Sequence, residues 1–143
     1  MKSSILNKIL TAAVLAATML LTASAFAQGA VDQYRASIPF DFQVSGKTLP
    51  AGDYNIRVTD HFIQIQNLET NQGVGVVTSR TDRSRSAEKD TLVFNVYGKQ
   101  YFASKLWFQG SQTGREVLLS KAEQEIAKQV QGNPVVLAMK LKK

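Results

Sequence analysis

Thr91-Leu92-Val93-Phe94-Asn95-Val96-Tyr97-Gly98-Lys99-Gln100-Tyr101-Phe102-Ala103-Ser104-Lys105-Leu106-Trp107-Phe108 is the stretch that decides the fold. Leu92, Phe94 and Val96 alternate with Val93, Asn95 and Tyr97; beyond the glycine, Phe102, Leu106 and Phe108 alternate with Tyr101, Lys105 and Trp107. Apolar residues recurring with period two mark half-buried strands, and a glycine-containing break between two such runs marks a hairpin. Register then decides what the aromatics do, because a slip of one residue sends a whole set of side chains to the other face. A two-residue Gly98-Lys99 turn would place Leu92, Phe94 and Val96 on the face of Tyr101, Lys105 and Trp107, splitting the most apolar set. Pairing Tyr97 with Tyr101 across a three-residue loop aligns Leu92, Phe94 and Val96 with Phe102, Ser104, Leu106 and Phe108. The second register is the expected one, although it puts Gln100 at a left-handed position that glycine usually takes.

That register leaves Tyr97, Tyr101, Lys105 and Trp107 on the opposite face. Aromatics with a polar tip are enriched at recognition surfaces, so this face is a candidate binding surface. Its competing use is packing beneath a helix, another sheet or a partner subunit, which is where most large aromatics are consumed.

Upstream, the pattern is the same. Ile38, Phe40, Phe42 and Val44 share one face of a first strand, with Pro39 at its start or on an edge. Leu49-Pro50-Ala51-Gly52 suits a type I turn. Tyr54, Ile56 and Val58, then Ile63 and Ile65, then Val74, Val76 and Thr78 continue the alternation, with a turn over Glu69 to Gly73. The expected class is mainly β: a compact antiparallel sandwich or small barrel of about seven strands.

Between these strands and the hairpin, Arg80 to Asp90 carries Arg80, Arg83, Arg85 and Lys89 against Asp82, Glu88 and Asp90, with serines and no large apolar side chain. It reads as an exposed, mobile connector. Its alternative use is a landing site for an anion, since arginine forks match phosphate and carboxylate oxygens.

Downstream, Ser120-Lys121-Ala122-Glu123 has the form of a capping box, in which the Ser120 hydroxyl accepts from the Glu123 amide and the Glu123 carboxylate reaches back to the Ser120 amide. One C-terminal helix is expected near 120-131, with Ala122, Ile126 and Val130 as a narrow apolar stripe, stopped by Gly132 and Pro134. Glu116, Glu123 and Glu125 are assigned to capping and solvation. Val135 to Leu141 reads as a last strand with Leu137, Met139 and Leu141 on one face, and Lys140, Lys142 and Lys143 form a basic end.

The N-terminus reads as an export signal. Lys2 and Lys8 precede the uncharged run Ile9 to Thr22, and Ala25-Phe26-Ala27 precedes Gln28. This is the order of a cleavable secretory leader, and the run is shorter than the roughly 20 residues that span a bilayer. The expected organisation is a signal peptide over 1-27 and a single β-rich domain over 28-143, periplasmic or secreted, without a transmembrane segment after processing.

The chain has 17 basic and 11 acidic residues and a formal charge of +6. Two of the lysines fall in the leader, and elsewhere positives are interleaved with acids, unlike the clustered basic face of a nucleic-acid binder. The absence of cysteine excludes disulfides, thiolate chemistry and Cys-based zinc sites. His61, the sole histidine, lies between Asp60 and Phe62 without a nucleophile motif, and no phosphate-binding glycine motif occurs. No catalytic residue, metal or cofactor is therefore assigned.

The segments Ile38-Pro39-Phe40-Asp41-Phe42, Gly46-Lys47-Thr48-Leu49-Pro50-Ala51-Gly52-Asp53-Tyr54, Leu92-Val93-Phe94, Tyr97-Gly98, Tyr101-Phe102, Gly114-Arg115-Glu116 and Ser120-Lys121-Ala122-Glu123 together resemble a family of small exported bacterial proteins of acidobacterial type with no assigned activity. The resemblance spans nearly all of the chain after the leader. It implies export and a compact β fold and transfers no active site.

The leading functional expectation is an exported non-catalytic binding or structural module for a protein, an envelope component or a small ligand. It would use the Tyr97, Tyr101, Lys105 and Trp107 face or Arg80, Arg83 and Arg85. The alternative is a small β-barrel carrier of an apolar ligand, its phenylalanines lining a cavity. A secreted hydrolase ranks third, with paired carboxylates as the one catalytic route compatible with the spacing.

Overall fold

The computed structural model describes residues 31–142; the leader read at 1–27 and the terminal Lys143 lie outside the described residues. Among the described residues the chain forms eleven strands and one short helix. The strands are β1 (Asp32–Ile38), β2 (Phe42–Val44), β3 (Lys47–Leu49), β4 (Gly52–Val58), β5 (Phe62–Asn67), β6 (Gly73–Asp82), β7 (Thr91–Tyr97), β8 (Gln100–Trp107), β9 (Thr113–Val117), β10 (Asn133–Ala138) and β11 (Lys140–Leu141). The helix is α1 (Lys121–Ala127). The mainly β class stands, with more and shorter strands than the alternation suggested.

The strands form one sheet in the order β10-β7-β8-β9-β6-β5-β4-β1-β11; β2 pairs with β3 and touches β8. All pairings are antiparallel except the single Gln43–Phe102 contact of β2 with β8, which makes the sheet mixed. The sheet does not close, and its form is that of a sandwich. The long strand β6 joins the halves: Gly73 to Val77 pair with β5, and Thr78 to Asp82 pair with β9. At the other side the chain changes partner across Met139, from β10 on β7 to β11 on β1. Met139 itself is buried, and its amide donates to the Asp90 carbonyl at 2.8 Å. The expected last strand is thus two strands serving opposite halves.

Ile38, Tyr54, Ile56, Ile63 and Ile65 from one half pack with Leu92, Phe94 and Leu106 from the other. Phe42 and Phe94, with Phe40 against them, fill this interior. Phe42 meets Tyr54 and Phe94 edge-on, with centroids 5.2 and 5.5 Å apart, and Phe40 meets Phe94 at 5.1 Å. Such edge-to-face pairs add to the free energy of burying the rings. Burial, with Asp32 and Asp90 adding to it, pushes the Tyr34 hydroxyl up to about 12.

The hairpin β7–β8 corrects the expected register in an instructive way. The turn is the two-residue one, with Tyr97 opposite Gln100 and Gly98 at φ 63°, the positive value that the first position of a primed turn requires. Asn95 therefore faces Phe102, and Phe94 faces Ala103. A bulge then lets Val93 face Lys105 and Leu92 face Leu106, leaving Ser104 as the extra residue. Beyond it the pairing is the one expected from a three-residue loop. The bulge resolves the conflict between turn and apolar pattern: Gly98 sets the register at the tip, and the burial of Leu92 and Leu106 sets it at the base.

A second two-residue turn, unread in the sequence, joins β2 to β3 through Ser45 at φ 49° and Gly46 at φ 81°. Serine at a left-handed position is an uncommon turn signal. The Pro50-Ala51 corner is held by the Tyr54 hydroxyl donating to the Pro50 carbonyl and by the Ala51 amide donating to Asp41 at 2.9 Å.

Helix α1 is shorter than expected, ending at Ala127. Ser120 caps it, accepting from the Glu123 amide at 3.2 Å. The reciprocal half of the capping box is replaced. Glu123 turns onto the sheet, only 4% exposed, and accepts from Asn95 Nδ2 at 2.9 Å and from the Tyr97 hydroxyl at 3.4 Å. Ala122 and Val130 are exposed, so no apolar stripe covers the sheet; Glu123, with the half-buried Ile126, docks the helix. Burial raises the Glu123 carboxyl above its ordinary value of 4.5, opposed by the Asn95 and Tyr97 hydrogen bonds.

Ser120→Ala should lower stability by about 1 kcal/mol, read from the urea midpoint. Glu123 should couple stability to pH. Because folding raises its pKa, its contribution is fully present below pH 4.5 and is lost as pH rises through the folded value. Glu123→Gln keeps an acceptor and removes the buried charge, so its stability relative to the parent should increase from pH 4 to pH 7. Glu123→Ala, which strands Asn95 and Tyr97, should cost about 1–3 kcal/mol at either pH.

Candidate functional site

The bulge at Ser104 divides the outer face of the β7–β8 hairpin. Near the turn, Asn95, Tyr97 and Phe102 point outward, and the Tyr97 and Phe102 rings meet at 5.8 Å. Helix α1 lies over this half through Glu123. Toward the base, two rows of outward side chains cross four strands: Ala138, Thr91, Trp107 and Gly114 in one, Val136, Val93, Lys105 and Glu116 in the other. The helix does not reach them. Thr91 and Trp107 of the first row and Val136, Val93 and Lys105 of the second form the floor of an open groove of about 770 Å³ whose wall is the segment from Arg83 to Lys89.

Most of the segment expected to be an exposed connector, Arg80 to Asp90, is exposed, and its backbone is tied to a neighbouring loop. Arg80 to Asp82 belong to β6. The Arg83 amide donates to the Gln112 carbonyl at 2.9 Å, and the Ala87 amide to the Ser111 carbonyl at 2.9 Å. The Ala87 carbonyl accepts from the Gly110 amide at 2.8 Å, and Ala87 is buried. Asp90 closes the segment by accepting from the Gln109 amide at 2.8 Å. Backbone bonding to a neighbouring loop holds a polar stretch that has little apolar surface to bury.

Four cationic side chains line the groove, Arg83, Arg85 and Lys89 from the wall and Lys105 from the floor, against one carboxylate of the wall, Glu88. Lys105 lies 3.4 Å from Glu116. Among the described residues, no carboxylate lies within ion-pairing distance of Arg83, Arg85 or Lys89. The Arg83 guanidinium sits 5.0 Å from the centroid of the Trp107 ring. This is a cation–π contact, which holds a planar guanidinium without using its hydrogen-bond donors.

Trp107 in turn rests on Gly114, its partner across the β8–β9 pair. A Cβ at Gly114 would collide with the Leu106 carbonyl and lie 2.7 Å from Trp107 Cε3. Glycine is therefore required for the ring to lie flat on the sheet. The same device recurs where Tyr97 covers Gly132.

The candidate residues read from the sequence are redistributed by this geometry. Trp107, Lys105, Arg83 and Arg85 come together in the groove, joining two features that looked separate in the sequence. Tyr97 is buried beneath α1, and burial, with Glu123 beside it, raises its hydroxyl above the ordinary value. Tyr101 faces the core side and stacks on Phe40 with centroids 3.8 Å apart. Arg80 turns to Asp82 at 3.6 Å and Thr113 at 3.0 Å, outside the groove. The shared aromatic face of Tyr97, Tyr101, Lys105 and Trp107 thus does not exist, because the bulge flips the register between Tyr101 and Lys105.

Sequence reading missed Thr91, Val93 and Val136 as floor residues. Their signal was present as the outward-pointing set of β7 and β10, but nothing in an alternation says which part of an outer face a helix will cover. His61 is exposed in the turn between β4 and β5, where its backbone carbonyl accepts from the Thr78 amide. Among the described residues no helix is long and apolar enough to cross a membrane.

Gly114→Val should displace Trp107 and with it Arg83. The expected result is a red shift of the emission of the chain's only tryptophan and a loss of about 1–3 kcal/mol in stability. An unchanged emission spectrum would mean that the ring does not depend on its glycine seat.

Comparison with protein-family models, with curated proteins and with solved structures finds no match for this chain.

Proposed function

We propose that this chain is an exported, non-catalytic binding module and that the groove between the Arg83–Lys89 wall and the β7–β8 floor takes an anionic ligand. The observation that carries this reading is the convergence of Arg83, Arg85, Lys89 and Lys105 on one groove, three of them without an ion-pair partner among the described residues. Unpaired cations on a surface are ordinary when scattered. Gathered beside an aromatic ring that orients one of them, they form a field that draws an oxyanion and donors that can bind it in forked geometry. The leader-like N-terminus supports export, and the packed interior, with Phe42, Phe94 and Tyr54 against one another, supports a ligand on the surface over one inside the fold.

Native mass spectrometry of the protein recovered from the periplasm or medium of its source tests both halves of the proposal. A mass beginning at Gln28 with an acidic adduct is expected, and the adduct should be lost in an Arg83→Ser, Arg85→Ser double variant whose melting temperature is unchanged. An unprocessed N-terminus would overturn export. An adduct retained by the double variant would overturn the groove as its site.

A further inference from the structure

The groove has two chemistries on different surfaces, and this narrows its ligand. The wall supplies Arg83, Arg85 and Lys89 against the single carboxylate Glu88; the floor supplies Val93, Val136 and the methyl of Thr91, with Lys105 and Trp107 beside them. Val136 is 58% exposed at the β10 end of an outward row whose next residue, on β7, is Val93. On the same outer face, α1 shields the half nearer the turn, where Tyr97 and Phe102 lie. The apolar floor is the half left without a cover.

We infer, building on the anion-binding reading above, that the ligand is an anionic amphiphile: an unbranched acyl chain carrying one carboxylate or phosphate head. The head meets the guanidinium and ammonium groups of the wall. The chain lies across Val93 and Val136 and covers the floor that the helix leaves open. A sugar polymer fits less well. With Gly114 beneath the Trp107 ring and Arg83 over it, the indole is not free to stack on a pyranose face. Along the valine row, sugar hydroxyls would lose water without gaining partners. A small free anion would use the wall and leave the floor wet.

Titration of the full chain with octanoate, decanoate, acetate, inorganic phosphate and decan-1-ol, followed by Trp107 emission and calorimetry, tests this inference. Decanoate should saturate at one per chain. Each fully buried methylene strengthens binding by about fourfold, so decanoate should bind up to about fifteenfold more tightly than octanoate, and about fourfold where the two methylenes are half buried. Acetate, phosphate and decan-1-ol should each bind at least about tenfold more weakly than decanoate. Val136→Asp, placed at an exposed position that should leave the melting temperature unchanged, should abolish decanoate binding. Phosphate binding as tightly as decanoate would overturn the amphiphile and leave the anion site standing. Decan-1-ol matching decanoate would overturn the role of the cations, and no binding by any of the probes would overturn both readings.

Discussion

The extra residue at Ser104 is the constraint on which the functional half of this molecule depends. Gly98, with its positive φ, admits a two-residue turn, and that turn alone would bring Lys105 and Trp107 round to the core side of the sheet. Burying an unpaired lysine there is costly, and removing Leu106 from the core forfeits apolar burial. Inserting one unpaired residue in β8 restores Leu106 to the interior opposite Leu92 and sends Lys105 and Trp107 outward. The bulge therefore creates two outer surfaces with different fates. One is the patch of Tyr97 and Phe102 beneath α1, and the other is the floor of the groove.

The rest of the fold gives this divided face its surroundings. Strand β6 is long enough to pair with β5 along its first half and with β9 along its second, so one sheet supplies both layers of the sandwich. The extension of β6 to Asp82 also fixes where the arginine wall begins. On the far side, β10 brings Val136 beside Val93, and the buried Met139 carries the chain across to β1. Each floor residue is thus held by an element whose main role is to complete the sandwich. Only the wall depends on loop-to-loop hydrogen bonds, centred on the buried Ala87.

The electrostatics follow the same division. Glu123 is a carboxylate used as structural glue: it replaces apolar helix packing with two hydrogen bonds, and its raised pKa records the cost of burying it. Arg83, Arg85 and Lys89 are the converse, exposed to solvent and without carboxylate partners among the described residues. A charge that is buried and satisfied stabilises one arrangement, whereas charges left unpaired in a groove are available to a ligand.

Period-two alternation was enough to read the β class, the inward sets Tyr54, Ile56 and Val58, Ile63 and Ile65, and Leu92, Phe94 and Leu106, because burial of alternate side chains acts along the chain itself. The Ser120 cap was legible for the same reason: its hydrogen bond closes within three residues. Strand β9, the division of the last strand at Met139 and the fate of each outward aromatic were not legible, since each depends on which distant strand lies alongside. The sequence presented an aromatic face and an arginine segment as rival sites. Only the tertiary structure, through one bulge and one glycine seat, took Tyr97 and Tyr101 out of play and set Trp107 and Lys105 against Arg83 and Arg85. The physical reason is that alternation specifies a two-faced strand, whereas the neighbours of each face are chosen by contacts between residues far apart in the chain.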